Sequence, residues 1–369
     1  MCAEIALRRL IRRKREAWRA VKVRTPERST PLTLAPAKPR CHRPPPPALA
    51  APRRYDVCNG EADGLCAVRQ WRLHEPAAAT LVTGLKREIA LLQRVPADRV
   101  DEVLVCDVSL ERNRPALTRL LERGVRVRWF DHHAAGEVPV HAGLEAHLDF
   151  DTQVCSSLLV DRALGGRQRA WALVGTYGDE LTAVADRLAA DSGFGQTQMA
   201  ALRRLGRAIN YNAYGDEEAD VCIAPAALYT LMARHDDPFS MLAGEPVIDE
   251  IDGQREADLR QALALAPSWQ SEQARVVVLP DVPWSRRVSG VLANELAAAR
   301  PAQAQAVLRP RRSGELTVSV RAPRATPQGA NRVCAAFGGS GRAAAAGIDA
   351  LPASELERFI HAFAAAQWE

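Results

Sequence analysis

Three observations place the chain in the α/β class, as a doubly wound parallel sheet joined by a helical connector to a smaller C-terminal α/β domain. From Arg54 onward, short β-rich runs alternate with helical segments, the pattern of a parallel sheet with crossover helices. After Cys155 the pattern turns helical and stays so to about residue 270, with interruptions at Pro225, Pro238 and Pro246. Around Ala274 strands return, separated by a helical stretch. The expected division is 1–53 as a basic, proline-rich extension, 54–205 as a metal-binding catalytic domain, 206–270 as the connector and 271–369 as a substrate-binding domain. Ligands of open parallel sheets lie outside the carboxyl ends of the strands, so the active site is expected there, in the interdomain cleft.

Residues 1–53 are crowded with Arg and Lys and decay into a Pro-rich stretch (CHRPPPPALA) that cannot build a core. They read as a disordered extension, with an Arg-rich targeting peptide or a nucleic-acid-binding arm as alternatives; no apolar signal region is present. The strands expected next are YDVC near 55, ATLVT near 79, DEVLVCD near 101, VRVRWF near 125 and AHLDF near 146. Between them REIALLQRV and ALTRLLERG carry helical periodicity, the second stopped by Gly124. The helical stretch opens on SSLLVDRALGG and RAWALVGTYGDELTAVADRLAA, where Ser156 and Ser157 read as caps. The later strands are ARVVVLP, AQAVLRP and ELTVSVRA, with SGVLANELAAA helical between the first two and the glycine-rich FGGSGRAAAAG near the end.

Composition excludes several classes. The chain has 369 residues, 47% hydrophobic and 25% charged, an ordinary globular balance. No apolar run approaches the roughly 18 residues that span a bilayer. The net charge of +5 comes from the basic extension, the remainder holding somewhat more acidic than basic residues and lacking a long basic, aromatic-rich groove. Eight cysteines are scattered without a C-x-x-C pair and read as buried thiols of a reducing, cytoplasmic compartment.

The expected strand ends collect acids and imidazoles. Strand one runs into Glu61 and Asp63, strand three ends at Asp107, strand four at Asp131-His132-His133, and Asp179 follows the helix begun near Trp171. An Asp after a strand is commonly a turn former or cap. Several carboxylates buried at neighbouring strand ends repel one another unless a cation neutralises them, and together they point to a metal site. Carboxylate and imidazole without thiolate suits Mn²⁺ or Mg²⁺. Two such ions would clamp a phosphoryl group for in-line displacement. Lys86 and Arg87 fall after the second strand, at the edge of the same site.

The order NGEADGLC, VLVCD, WFDHH and YGDE resembles the four motifs of the DHH phosphoesterase superfamily, which includes RecJ-like and nanoRNase-like enzymes, and FGGSGRAAAAGI resembles the glycine loop of its C-terminal domain. The similarity covers about residues 55–180 and 284–349. It implies that Asp63, His132 and Asp179 bind one metal, that Asp107 bridges two, and that Glu61 serves the first ion. It implies further that His133 acts in catalysis by facing the substrate phosphate, with Asp107 the central catalytic carboxylate. Arg321, Arg342, Gly338, Gly339 and Gly341 would hold the substrate. Three departures stand out: Glu61 replaces an Asp, Val57 stands where some relatives have a His, and Arg342 stands where the loop His is expected.

The expectation is therefore a metal-dependent phosphodiesterase or exonuclease with two Mn²⁺ or Mg²⁺ ions, acting on oligonucleotides, single-stranded nucleic acid or small nucleotides. A catalytically weakened nucleotide- or nucleic-acid-binding protein of the same fold is the alternative, with a pyrophosphate hydrolase behind it. No membrane partner is expected, and the oligomeric state stays open.

Overall fold

A computed structural model describes residues 52–368, so the extension at 1–53 lies outside the described residues except for Pro52 and Arg53. Five strands form the first sheet: β1 (Arg54–Cys58), β2 (Ala79–Val82), β3 (Glu102–Cys106), β4 (Arg126–Asp131) and β5 (Leu144–Leu148). Their order is β2-β1-β3-β4-β5, and every pairing is parallel. Of the central strands β3 is a nearly continuous apolar run, as covered faces require, whereas β1 carries Arg54 and Asp56 and β4 carries Arg126 and Arg128.

On one face lie α1 (Ala62–His74), α3 (Ser156–Ala163), α4 (Arg169–Gly178) and α6 (Gln196–Asn212), packed around Leu65, Phe130, Trp171, Leu173 and Leu205. On the other, α2 (Leu110–Glu122) packs Leu117 and Leu120 against Val103, Val105 and Trp129. Gly124, at φ 75°, ends α2 in the left-handed conformation that costs a residue without Cβ little. One helix expected from periodicity does not form. Of REIALLQRV only a 3₁₀ turn at Leu91–Arg94 appears, and its Leu91 and Leu92 are buried on the α2 face. Its preceding residues are drawn into a loop by Glu88, which accepts from the Leu85 N–H and pairs with Arg94.

The helical stretch continues through α5 (Thr182–Asp191), α7 (Pro225–Met232), α8 (Pro238–Gly244) and α9 (Val247–Leu263), each proline interruption standing at or just before the first helical turn. The second sheet has six strands in the order β10-β11-β9-β8-β7-β6, with only β7 and β8 parallel. They are β6 (Trp269–Gln270), β7 (Ala274–Val278), β8 (Ala304–Pro310), β9 (Leu316–Arg321), β10 (Ser340–Gly341) and β11 (Ala345–Leu351). Around it lie α10 (Pro283–Ala299), α11 (Ala330–Ala335) and α12 (Leu356–Ala364), the last burying Phe359 and Phe363. Residues 51–369 form one compact unit containing both sheets. No helix among the described residues is long and apolar enough to cross a membrane. Cys58, Cys66, Cys106, Cys155 and Cys334 are buried free thiols, whereas Cys222 is exposed, against the expectation of uniform burial.

Candidate metal centre

β1 has β2 on one side and β3 on the other, so the chain leaves the centre of the sheet in both directions and a crevice opens at the carboxyl ends of these strands. Into it project the expected site residues of the first sheet. Asp107, one residue beyond β3, adopts φ 57° while its N–H still donates to the Phe130 carbonyl at 3.0 Å. A non-glycine residue there is held at a cost of about 1–2 kcal/mol, and such strain collects at functional sites.

Ligand atoms of Asp107, His132 and His133 lie within 4.8 Å of one another. His132 Nε2 is 3.6 Å from Asp107 Oδ1 and 4.0 Å from Asp63 Oδ2. His133 Nδ1 is 2.7 Å from Asp131 Oδ1 and 3.8 Å from Asp107 Oδ1. Asp131 is fully buried and His133 half exposed, so the carboxylate fixes the ring and leaves its other nitrogen outward. Asp131 is a site residue that the strand-end pattern contained but whose service to His133 only the fold reveals. Its second oxygen, Oδ2, is buried without a partner.

Asp179 is placed by the end of α4. The Leu181 N–H donates to the Thr176 carbonyl and the Glu180 N–H to that of Tyr177, with Glu180 at φ 65°. That is a left-handed helix stop, and it sets Asp179 at the end of the helix, where the sequence places it. The Asp179 carboxylate makes no hydrogen bond among the described residues but lies within electrostatic reach of Asp63, His132 and Asp107. Gly175 and Gly178 of α4 let α1 and α3 approach: a Cβ on the first would meet the Ser157 side chain, and on the second Ala62.

Asp63, 4.0 Å from His132, is also tied to the helix behind it. Both its oxygens are already acceptors, for the N–H groups of Ser156 at 2.8 Å and Ser157 at 2.7 Å, the first turn of α3. Ser157 Oγ also donates to the Asp63 carbonyl. The carboxylate therefore serves as the buried anion at a helix N-terminus, beneath the centre. Glu61 is likewise engaged, in an ion pair with Lys86.

The electrostatics of the cluster follow from its crowded, buried carboxylates. Burial, then Asp63, pushes Asp179 up to about 8 and Asp107 up to about 7, with the imidazoles pulling the other way. Burial alone would lower His132, but Asp107, Asp63 and Asp179 raise it to about 10. His133 rises to about 9 through Asp131 and Asp107 against the same opposition. Protons are held where a divalent ion would neutralise the same carboxylates. Oxygen and imidazole donors without thiolate, gathered at Asp107, His132 and His133, are of the chemical kind that suits Mn²⁺ or Mg²⁺.

The substrate residues expected on the second sheet divide. Arg321, at the end of β9, donates from Nε to Asn294 Oδ1 at 2.7 Å and lies within electrostatic reach of Tyr214 and Glu180, next to Asp179. Arg342 is exposed in the turn between β10 and β11. The glycines do not form an open anion cradle. The Gly338 N–H donates to the Ala335 carbonyl and that of Gly339 to Cys334, with Gly338 at φ 73°, so both N–H groups close the end of α11. Gly341 belongs to β10 and pairs with Ala346.

No known protein family and no curated protein matches the chain. Among solved structures it is similar to exonuclease RecJ bound to manganese, at 21% identity over 85% of this chain and 89% of that one, with a TM-score of 0.54. It is also similar to RecJ in complex with Mn²⁺ from Thermus thermophilus, at 20% identity over 85% of this chain, with a TM-score of 0.55. The chain spans 51% of the length of that Thermus structure. Both sheets lie within the described residues, and the DHH triplet stands after β4, at the carboxyl edge of the parallel sheet. The chain thus shares the fold of these RecJ structures.

Proposed function

We propose that the protein is a metal-dependent phosphodiesterase acting on short or single-stranded nucleic acid or on small nucleotides. The observation that carries this reading is the gathering of Asp107, His132 and His133 at the carboxyl edge of the parallel sheet, with the unpartnered Asp179 carboxylate beside them. The likeness in fold to manganese-bound RecJ structures supports it. Asp107, His132 and Asp179 would hold the ion, which when bound neutralises phosphoryl charge and makes water nucleophilic near neutral pH. His133, aligned by Asp131, would donate to the phosphate. Arg321 would meet the substrate from the second sheet, with Arg342 further out. Asp63 would hold α1 and α3 together under the ligands.

We assign 54–205 to the metal-binding half, 206–270 to the connector and 271–369 to the substrate half. Five buried thiols without a disulfide suit a reducing, cytoplasmic setting. The test is hydrolysis by the purified chain of a dinucleotide such as pApA and of a short single-stranded oligonucleotide with Mn²⁺. Turnover that Asp107→Ala abolishes is the expected result. Binding of the oligonucleotide without turnover in any divalent ion would replace this reading with a nucleic-acid-binding one, which the engagement of Glu61 by Lys86 favours. Phosphate release from pyrophosphate alone would promote pyrophosphate hydrolysis.

A further inference from the structure

Resting on the metal-dependent reading above, we infer that Lys86 is a built-in cation of this centre, closing the β1 side to a second ion so that each chain takes one divalent ion. The side chains that a second ion would need at the end of β1 already have partners within the protein. Val57 is fully buried in the apolar core and offers none. Asn59 Oδ1 accepts the Glu61 N–H at 3.1 Å, and Asn59 Nδ2 donates to the Lys86 carbonyl at 3.4 Å. Glu61 Oε1 accepts from the Lys86 ammonium.

The lysine is held in place from several directions. Its N–H donates to the Ala213 carbonyl at 3.1 Å, and its ammonium lies 4.9 Å from the centre of the Tyr214 ring, within cation–π range. Glu88, accepting the Leu85 N–H and paired with Arg94, stiffens the loop that carries it. On the far side, Arg87 reaches Asp349 of β11 at 3.5 Å, so this loop stands between the two sheets. Although burial opposes it, the Glu61 carboxylate holds the Lys86 ammonium protonated well above its ordinary range.

The Glu61 side chain is largely enclosed at 12% accessibility, while the Lys86 side chain keeps 42%, so the lysine is the more exposed member of the pair. The contrast with Asp179 is direct: one carboxylate near the centre has a cation fixed to it, the other has none. A divalent ion at Glu61 would have to displace an ammonium that has an ion pair and an aromatic face. At Asp107 and Asp179 no lysine or arginine among the described residues is paired with the carboxylate. A phosphoryl group in the cleft would then meet one metal charge and one fixed point charge.

The experiment is a titration of the full chain with Mn²⁺ at pH 8, followed by calorimetry and by the electron paramagnetic resonance of free Mn²⁺. One ion per chain is expected for the wild type and for Lys86→Arg, and a second, weaker ion for Lys86→Met, in which Glu61 is released. Two ions in the wild type would overturn the inference, as would a Lys86→Met chain that still binds one. Glu61→Gln tests it without removing the lysine. Mn²⁺ affinity should stay within a few-fold of wild type, whereas a loss on the order of tenfold or more would make Glu61 a ligand and overturn it. A wild type that binds no Mn²⁺ at all would overturn the metal-dependent reading itself, and this inference with it.

Discussion

The acids at the centre carry a pH dependence of definite sign. Asp179 and Asp107 hold protons in the folded, metal-free chain up to about 8 and about 7, far above where an unfolded chain releases them, and His132 holds its proton to about 10. Folded protein therefore binds more protons than unfolded protein from about pH 4 upward, so this contribution to stability is complete in acid and is lost as pH rises through those values. Metal binding must release the same protons, so affinity rises over the same window. Melting of the metal-free chain should fall between about pH 6 and about pH 9, and the increase in Tm on adding Mn²⁺ should be larger at the alkaline end. An increase equal at both ends, followed by differential scanning calorimetry, would contradict the protonated centre. At this scale the sequence showed which residue types stand at the strand ends. It did not show that Asp63 spends both oxygens on α3, because that bond joins positions 93 and 94 residues apart.

Among the elements, α1 and α3 are tied by that carboxylate. Two buried N–H groups lose a charged acceptor in Asp63→Ala, which should cost about 2–4 kcal/mol in urea unfolding. A loss below about 0.5 kcal/mol, the level of an ordinary surface substitution, would show that the bonds contribute nothing net. Strand β3 was legible as an apolar run because both sheet faces are covered. The helix read into REIALLQRV was not borne out, since the loop bonds of Glu88 outweigh its periodicity. β11, read only as a glycine loop, consists of Ala, Gly, Ile, Asp and Leu; most of these are poor strand formers, and it is a strand through pairing with β9 and β10. The left-handed stop at Glu180 had no glycine to announce it.

Across the whole molecule, buried ion pairs fasten the segment after α6 and helix α9 to the second sheet. Arg286 meets Asp220 at 2.8 Å and Asp281 at 2.7 Å, Arg309 meets Asp216 at 2.7 Å, and Arg287 meets Asp258 at 2.7 Å, with Tyr211 sharing that last carboxylate. Asp258 is fully buried, so Arg287→Ala leaves an uncompensated charge. It should cost about 3–5 kcal/mol, measured by urea unfolding, while the double change of Arg287 and Asp258 to apolar residues should restore much of it. A single variant as stable as the wild type would show that water reaches the site. No sequence pattern announces the pairs to Asp220, Asp216 and Asp258, whose partners stand far apart in the chain; they appear only when the second sheet is seated beside the helices.

The central claim is that an ion binds at Asp107, His132 and Asp179. Crystals grown with Mn²⁺ and measured at the manganese absorption edge test it most directly. A peak in the anomalous difference map among these three side chains, with Glu61 still on Lys86, is the expected result; an empty centre, or a peak elsewhere in the molecule, would contradict it.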